Sequence, residues 1–400
     1  MDEIRRQYEA FPYPERDPEA EKRRLVTGSP SLPQEIDHFL HGGQRDWSRP
    51  LRFLVAGGGT GDALIQLAAL LTRHGRPYEA TYVDLSAASR EVAEARAAVR
   101  GLENITFVTG TLLEAPALGP FDYIDCCGVL HHLDEPAEGF RALRAALAED
   151  GGMGFMVYAP YGRSGVYPLQ EAFGALFGHL PPRPRLDAAR AVFERLPAGH
   201  PFRSNPNLHD HESNDAGFYD LLLHAQDRAY DVPALLDVLG RTGWALSGFV
   251  VPAPYELSRF APVPEGMGAA RAMALAEKLN GTIRVHTGYA VPKEAAKAAR
   301  TPATGRNRQL VPHLKGVRAA RLAQAAARRQ AVSVSADGVC EALVLPREAA
   351  RAIAAIDGRR NLAEIAAATG ADPIGFGALW ARVEACLIPW GMLVYSGILR

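Results

Sequence analysis

The segment Val55-Ala56-Gly57-Gly58-Gly59-Thr60-Gly61 is the part of this 400-residue chain best suited to holding a ligand. Glycines let a backbone approach a bound molecule closely, and a helix starting behind them offers unpaired N–H groups. Asp84 follows at the end of a second apolar run. A carboxylate there can accept both hydroxyls of a ribose, which fits any adenosine-containing cofactor. Two cofactor classes compete. A dinucleotide site wants G-x-G-x-x-G, and neither register gives it: the last position falls on Asp62 counted from Gly57 and on Leu64 counted from Gly59. Gly57, Gly59 and Gly61 instead read G-x-G-x-G. Asp62 would also repel a pyrophosphate, so the run favours a cofactor without phosphates.

A second set of residues suits proton transfer. His131 and His132 fall at the rim where open parallel sheets carry their ligands. One of them faces cofactor or substrate, or both cap a helix and pack. Tyr158, Tyr161 and Tyr167 follow the fifth strand and are candidates to line an acceptor pocket or a lid core. Asp220, His224 and Asp227 share one face if their stretch is helical, which makes His224 either a base or a structural hydrogen-bond partner. His209-Asp210-His211-Glu212 is the most metal-like cluster, with His200 and His224 as further candidates. Its histidines are two positions apart, which is not a helical ligand pair, and no metal is expected.

Positioning these groups requires alternating strands and helices. Apolar runs predict strands at Leu51–Ala56, Ala80–Leu85, Ile105–Val108, Phe121–Cys127 and Met153–Tyr158. Helical spacing predicts helices over Asp62–Arg73, from Ser86 as N-cap to about Arg100, and over Pro136–Leu147. This alternation means a parallel sheet covered on both faces. Residues 160–231 break the rhythm and are expected to form a partly helical lid. A helix at Val232–Thr242, a strand at Trp244–Val251, a helix at Gly268–Leu279 and a strand at Thr282–Val291 complete the unit.

Both ends of the chain differ from this middle. Residues 1–50 carry the aromatic-proline cluster Tyr8-Glu9-Ala10-Phe11-Pro12-Tyr13-Pro14, either a packed arm or an arm folded over the site. Residues 293–330 form a basic linker containing Lys293, Lys297, Arg300, Arg306, Arg308, Lys315, Arg318, Arg321, Arg328 and Arg329, against one acid, Glu294. It is a solvated linker and helix, or a docking surface for an acidic partner. Residues 331–400, with helices at Leu362–Thr369 and about Pro373–Cys386 and a strand at Trp390–Tyr395, suggest a small winged-helix-like domain. The second of those helices carries only Arg382, a poor nucleic-acid reader, so protein contact fits better.

With 44 basic against 45 acidic residues the net charge is -1, which argues against coating nucleic acid by bulk charge. A hydrophobic share of 48% and a charged share of 22% exclude wholesale disorder. Four cysteines, two of them adjacent at Cys126 and Cys127, make no disulfide framework and are expected to be reduced. No apolar segment follows Met1 and no run is long enough to span a membrane, so a soluble, cytoplasmic protein is expected.

Taken in order, the glycine run, Val83-Asp84-Leu85-Ser86, Phe121-Asp122-Tyr123-Ile124-Asp125 and Gly128-Val129-Leu130-His131-His132-Leu133 resemble the class I S-adenosylmethionine-dependent methyltransferases. The resemblance is strong over about residues 50–160. More narrowly, the arm and Asp220-Leu221-Leu222-Leu223-His224-Ala225-Gln226 resemble a bacterial subgroup of that family. It implies an α/β fold with a Rossmann-like seven-stranded sheet at residues 51–292, lid insertion included, and S-adenosyl-L-methionine as cofactor. It also implies cofactor contacts at Gly57, Gly58, Gly59, Gly61, Asp84, Leu85, Thr111 and Gly128; the residue readings above make His131, His132, Tyr161 and His224 the catalytic candidates. Two positions depart from the family pattern: Val55 stands where an acid is usual, and Thr111 where Asp is commoner. The expected activity is methyl transfer to a protein or peptide acceptor. The alternative is a cofactor-binding regulator with a protein-docking tail.

Overall fold

The computed structural model of the chain describes residues 2–297, 303–370 and 372–400. Arg300 lies outside the described residues. Seven strands form one sheet: β1 (Leu51–Ala56), β2 (Tyr78–Asp84), β3 (Ile105–Thr109), β4 (Phe121–Cys127), β5 (Leu147–Tyr158), β6 (Trp244–Phe249) and β7 (Val285–Pro292). Their order is β3-β2-β1-β4-β5-β7-β6. The strand order reverses between β1 and β4, and that crevice is where open α/β sheets bind ligands.

One expectation is corrected here. The sheet is not wholly parallel: β7 runs antiparallel to both β5 and β6. An antiparallel neighbour needs no crossover of fixed hand, so alternation of strand and helix does not by itself set its direction. β5 also begins at Leu147, well before Met153, because Leu147 pairs with Phe121 and the register then shifts before Gly152 meets Tyr123. Its first residues therefore belong to the sheet, and the preceding helix stops at Ala145.

Each face of the sheet has its own core. Phe53, Tyr123 and Tyr289 are buried on one face with Leu64 and Leu67 of the helix Asp62–Arg73. Ile124, Phe155 and Trp244 are buried on the other with Phe140 and Leu239. Residues 160–231 carry helices Val166–Phe177, Pro182–Phe193 and Asp215–Leu222, packed around Phe173, Leu186, Phe218 and Leu222.

A further core gathers Ile353, Leu362, Phe376, Trp380 and Tyr395 near the C-terminus. Beside the expected helices this region holds a hairpin, Val332–Ala336 against Val339–Leu343. Its turn is Asp337-Gly338, both at positive φ, the type I′ geometry that suits a two-residue hairpin. Alternation around an Asp-Gly pair signals such a hairpin in sequence, and it was missed. The unit rests on the helix Pro33–His41 through Ser396 Oγ, which donates to Asp37 at 2.7 Å. The basic segment is not one uniform surface: Lys315 pairs with Glu35, while Arg318, Arg321, Arg328 and Arg329 are exposed. Among the described residues no helix is long and apolar enough to cross a membrane.

Candidate functional site

The glycine-loop end of the site is built mainly from backbone. β1 ends at Ala56, and Gly57, Gly59 and Gly61 then take φ of 71°, 51° and 98°, values that favour glycine. A Cβ on Gly58 would lie 2.3 Å from the Tyr82 ring, and one on Gly59 would lie 2.6 Å from the Tyr13 carbonyl oxygen. Gly59 N–H donates to Asp84 Oδ2 at 2.8 Å and Ser86 N–H to Oδ1 at 2.8 Å. These bonds fix the carboxylate and leave each oxygen further acceptor capacity. Burial pushes the Asp84 carboxyl up, and those backbone donors oppose the shift.

Gly57, Gly58, Gly59, Asp84, Leu85, Thr111 and Gly128 all line one cavity of about 390 Å³. That size is within the usual range of small-molecule sites. Gly61 does not line it; it is the N-cap residue of the helix Asp62–Arg73. Asp62 does line it, yet Arg16 and Arg96 pair with its carboxylate at 2.6 and 2.8 Å. Its charge is therefore compensated, and the repulsion argued from sequence fails. The departure from G-x-G-x-x-G stands on spacing alone.

Side chains from distant segments build the other end. Tyr8, Tyr13, His132, Tyr158, Arg163 and Asp220 line it. Tyr8 Oη donates to Asp220 Oδ1 at 3.0 Å and lies 3.2 Å from His224 Nε2. Tyr158 Oη donates to Asp220 Oδ2 at 3.3 Å. The backbone of Gln226 assigns both imidazole tautomers. Its carbonyl lies 2.8 Å from His132 Nδ1, which must carry the proton and leaves the Nε2 lone pair open. Its N–H donates to His224 Nδ1 at 3.1 Å, so the neutral ring carries its proton on Nε2, toward Tyr8. Burial holds His224 well below the ordinary imidazole range.

The four catalytic candidates separate accordingly. His132 lines the cavity. His224 stacks on it with ring centroids 3.7 Å apart and supports it from behind. His131 is not among the lining residues: it is fully buried between His132 and Tyr158, with neither ring nitrogen hydrogen-bonded. Tyr161 starts a short 3-10 turn and does not line the cavity either, whereas Tyr158 does. Arg163 was not anticipated. Its guanidinium lies 3.6 Å from the Tyr158 ring centroid and pairs with buried Asp227 at 3.0 Å. Asp125 and Arg284 also line the cavity and were not anticipated.

The arm covers the cavity. Tyr13 and Pro14 line it, and the Pro14 carbonyl accepts from Thr60 Oγ1 at 2.6 Å. Glu9 accepts from Ala87 N–H at 2.7 Å, at the N-terminus of the helix Ala87–Arg100. Glu21 pairs with Arg96 at 2.7 Å. These contacts decide between a merely packed arm and one folded over the site in favour of the second.

His209, His211 and Glu212 are not gathered as ligands; His209 is exposed and bonded locally to Pro206 and Glu212. Two other groups come together, His131–His132–Asp227 and His132–Asp220–His224. In the second the two imidazoles are stacked at 17°, so their in-plane lone pairs run nearly parallel and do not converge on one point. That geometry serves a hydrogen-bonded network.

Residues 54–153 match a family model described as a methyltransferase domain. The chain is 34% identical over 217 residues to an uncharacterized protein of Synechococcus sp., covering 53% of this chain and 51% of that one. It thus spans about half the length of the curated relative it matches. Among solved structures it resembles PKMT2 from Rickettsia typhi, with a TM-score of 0.61 at 14% identity over 93% of this chain and 76% of that one. The complex of PKMT2 from Rickettsia typhi with AdoHcy is similar too, with a TM-score of 0.52 at 12% identity over 89% and 76% of the two chains.

Proposed function

We propose that this chain, whose residues 54–153 match a methyltransferase-domain family model, is a class I S-adenosylmethionine-dependent methyltransferase that transfers the methyl group of that cofactor to a protein or peptide acceptor. One observation carries the reading. A single cavity is lined by the glycine loop and Asp84 and by His132, whose Nδ1 is engaged by the Gln226 carbonyl.

The residues present fit the cofactor. Asp84 has acceptor capacity left that would hold ribose hydroxyls, and Thr111, which also lines the cavity, would contact the adenine. The glycine loop lies so close to Val129, Tyr82 and Tyr13 that none of Gly57, Gly58 and Gly59 could carry a side chain in place. When bound, the cofactor supplies a methyl group on a sulfonium, already activated for displacement. What remains for the protein is positioning, which is worth about 7–11 kcal/mol when complete. Tyr8, Tyr13 and Pro14 of the arm line the cavity and would limit water's access to a bound cofactor. His132 Nε2 takes the acceptor's proton, a contribution of roughly 10²–10⁴ in rate. Gln226 holds its tautomer, and the Tyr8–Asp220–His224 network holds its position.

In this reading residues 51–292 are the catalytic unit, residues 160–231 its lid and residues 1–50 its arm. Residues 293–330 link it to an accessory module at residues 331–400 that docks the acceptor, since a small metabolite needs no such unit. The protein works in the cytoplasm.

The test is transfer of a labelled methyl group to a lysate separated into protein, RNA and small molecules. Label is expected in the protein fraction. A protein that binds the cofactor yet labels no fraction would favour the regulator instead.

A further inference from the structure

The hairpin strand Val332–Ala336 is an open sheet edge. Among the described residues it pairs with Val339–Leu343 alone, in a two-stranded sheet. The pair that closes a two-residue turn is hydrogen-bonded, and such pairs alternate along an antiparallel ladder. Ala336, Val334 and Val332 therefore bond to Val339, Glu341 and Leu343, and the N–H and C=O groups of Ser333 and Ser335 point away from the hairpin partner. The edge reads Val332-Ser333-Val334-Ser335-Ala336, with none of the prolines or charged side chains that keep natural edges from pairing. Val332 and Val334 pack against the core of the module, while Ser333 and Ser335 are exposed.

A groove of about 710 Å³ runs along this edge. Val332, Ser333, Val334 and Ser335 line it and no residue of Val339–Leu343 does, so it lies on the side away from the hairpin partner. That volume is in the range of built binding sites, and Trp390 and Met392 give it apolar surface. Among the described residues no acid lines the groove, whereas Lys315 and Arg321 both do. Lys315 is paired with Glu35. Glu341, which accepts from the groove residue Trp390, is paired with Arg259. Arg321, and Arg318 at the N-cap of the same helix, Ala319–Ala327, are exposed, and neither is paired with an acid among the described residues. The uncompensated charge at the groove is therefore positive.

We infer that an extended acidic peptide segment adds to this edge as a further strand, its backbone bonded to Ser333 and Ser335 and its carboxylates drawn to Arg321 and Arg318. Main-chain bonds give such an addition its affinity, and complementary charge selects the partner. A second copy of the same edge would bring two arginine rims together, which disfavours it. The inference deepens the reading of residues 331–400 as a docking module and rests on that reading for one point: there, the segment belongs to the acceptor.

Fluorescence anisotropy of the full chain with a labelled synthetic peptide alternating threonine and glutamate tests this. One control peptide has lysine for glutamate; another is N-methylated at every amide and cannot form a ladder. The threonine–glutamate peptide is expected to bind, and each control to bind at least about tenfold more weakly. Arg321→Glu, an exposed change, should weaken binding by about tenfold. Ser335→Pro removes an outward edge N–H, where proline is tolerated, and should abolish binding with the thermal unfolding midpoint near wild type. Absence of binding by the acidic peptide, or equal binding of either control, would overturn the inference whatever the variants do. So would a chain that is dimeric in sedimentation and becomes monomeric in Ser335→Pro, since the occupant would then be a second copy. The titration contains no cofactor. A chain that binds the acidic peptide yet labels no protein in the methyl-transfer assay would therefore support the docking edge and remove only the acceptor reading.

Discussion

The two ends of the cavity are built in different ways. At the cofactor end, three glycines and one aspartate within a single strand–helix–strand stretch make the surface, and the main contacts are backbone N–H groups. At the other end, Tyr8, His132, Tyr158 and Asp220 come from the arm, the turn after β4, the end of β5 and the lid; Tyr8, Tyr158 and Asp220 are joined through side chains, and His132 is held by the Gln226 carbonyl. A backbone cradle tolerates change around it as long as the glycines remain. A side-chain network depends on each distant segment being in place, so the acceptor end should be the more fragile half.

The largest expected effect separates the two halves by function. His132→Ala should lower the methyl-transfer rate by about 10²–10⁴ and leave S-adenosylhomocysteine affinity within about twofold. Single-turnover rates and calorimetry read the two quantities. An equal loss in both would mean that the two ends are not separable.

A pH dependence sharpens the contrast next. Burial holds His131 and His224 well below the ordinary imidazole value, so the folded chain binds fewer protons than the unfolded chain once the pH falls below about 6.5. Each histidine then costs stability as the pH drops, with a slope approaching about 1.4 kcal/mol per pH unit until its own folded value is reached. Asp84, Asp125 and Asp220, whose carboxyls burial pushes up, act in the opposite direction. Denaturant unfolding between pH 7 and pH 5.5 reads the sum of both, and His131→Leu should change its slope by one histidine's share, making the variant relatively more stable at the acid end. An unchanged slope in that variant would contradict the burial account of His131.

The smallest effect concerns the arm. Tyr8→Phe removes the hydroxyl that joins Asp220 to His224 and should cost about 1 kcal/mol of network energy, or roughly fivefold in rate. The affinity for S-adenosylhomocysteine should stay nearly constant. A larger loss in affinity than in rate would assign Tyr8 to the cofactor end.

The same contrast explains what could be read from the sequence. The glycine loop, Asp84 and the helix cap at Ser86 are set by neighbours along the chain, and the spacing of a few residues was enough to place them. Strands β1 and β4 were read to the residue for the same reason, since their apolar runs end at turn signals. The arm motif and the Asp220–Gln226 segment were both visible, but nothing local says that Tyr8 meets Asp220 and His224 across more than 200 residues of chain. Which of the adjacent His131 and His132 lines the cavity depends on the lid carbonyl of Gln226, which no local pattern reveals. Arg163 carries no local signal, because its partner Asp227 and the Tyr158 ring lie in other elements.

Calorimetric titration with S-adenosylhomocysteine, wild type beside Asp84→Ala, tests the central claim most directly. The account expects one molecule bound per wild-type chain, and affinity lowered about hundredfold or more in Asp84→Ala, as expected when the acceptor of two ribose hydroxyls is removed. Binding by Asp84→Ala as tight as wild type would contradict it.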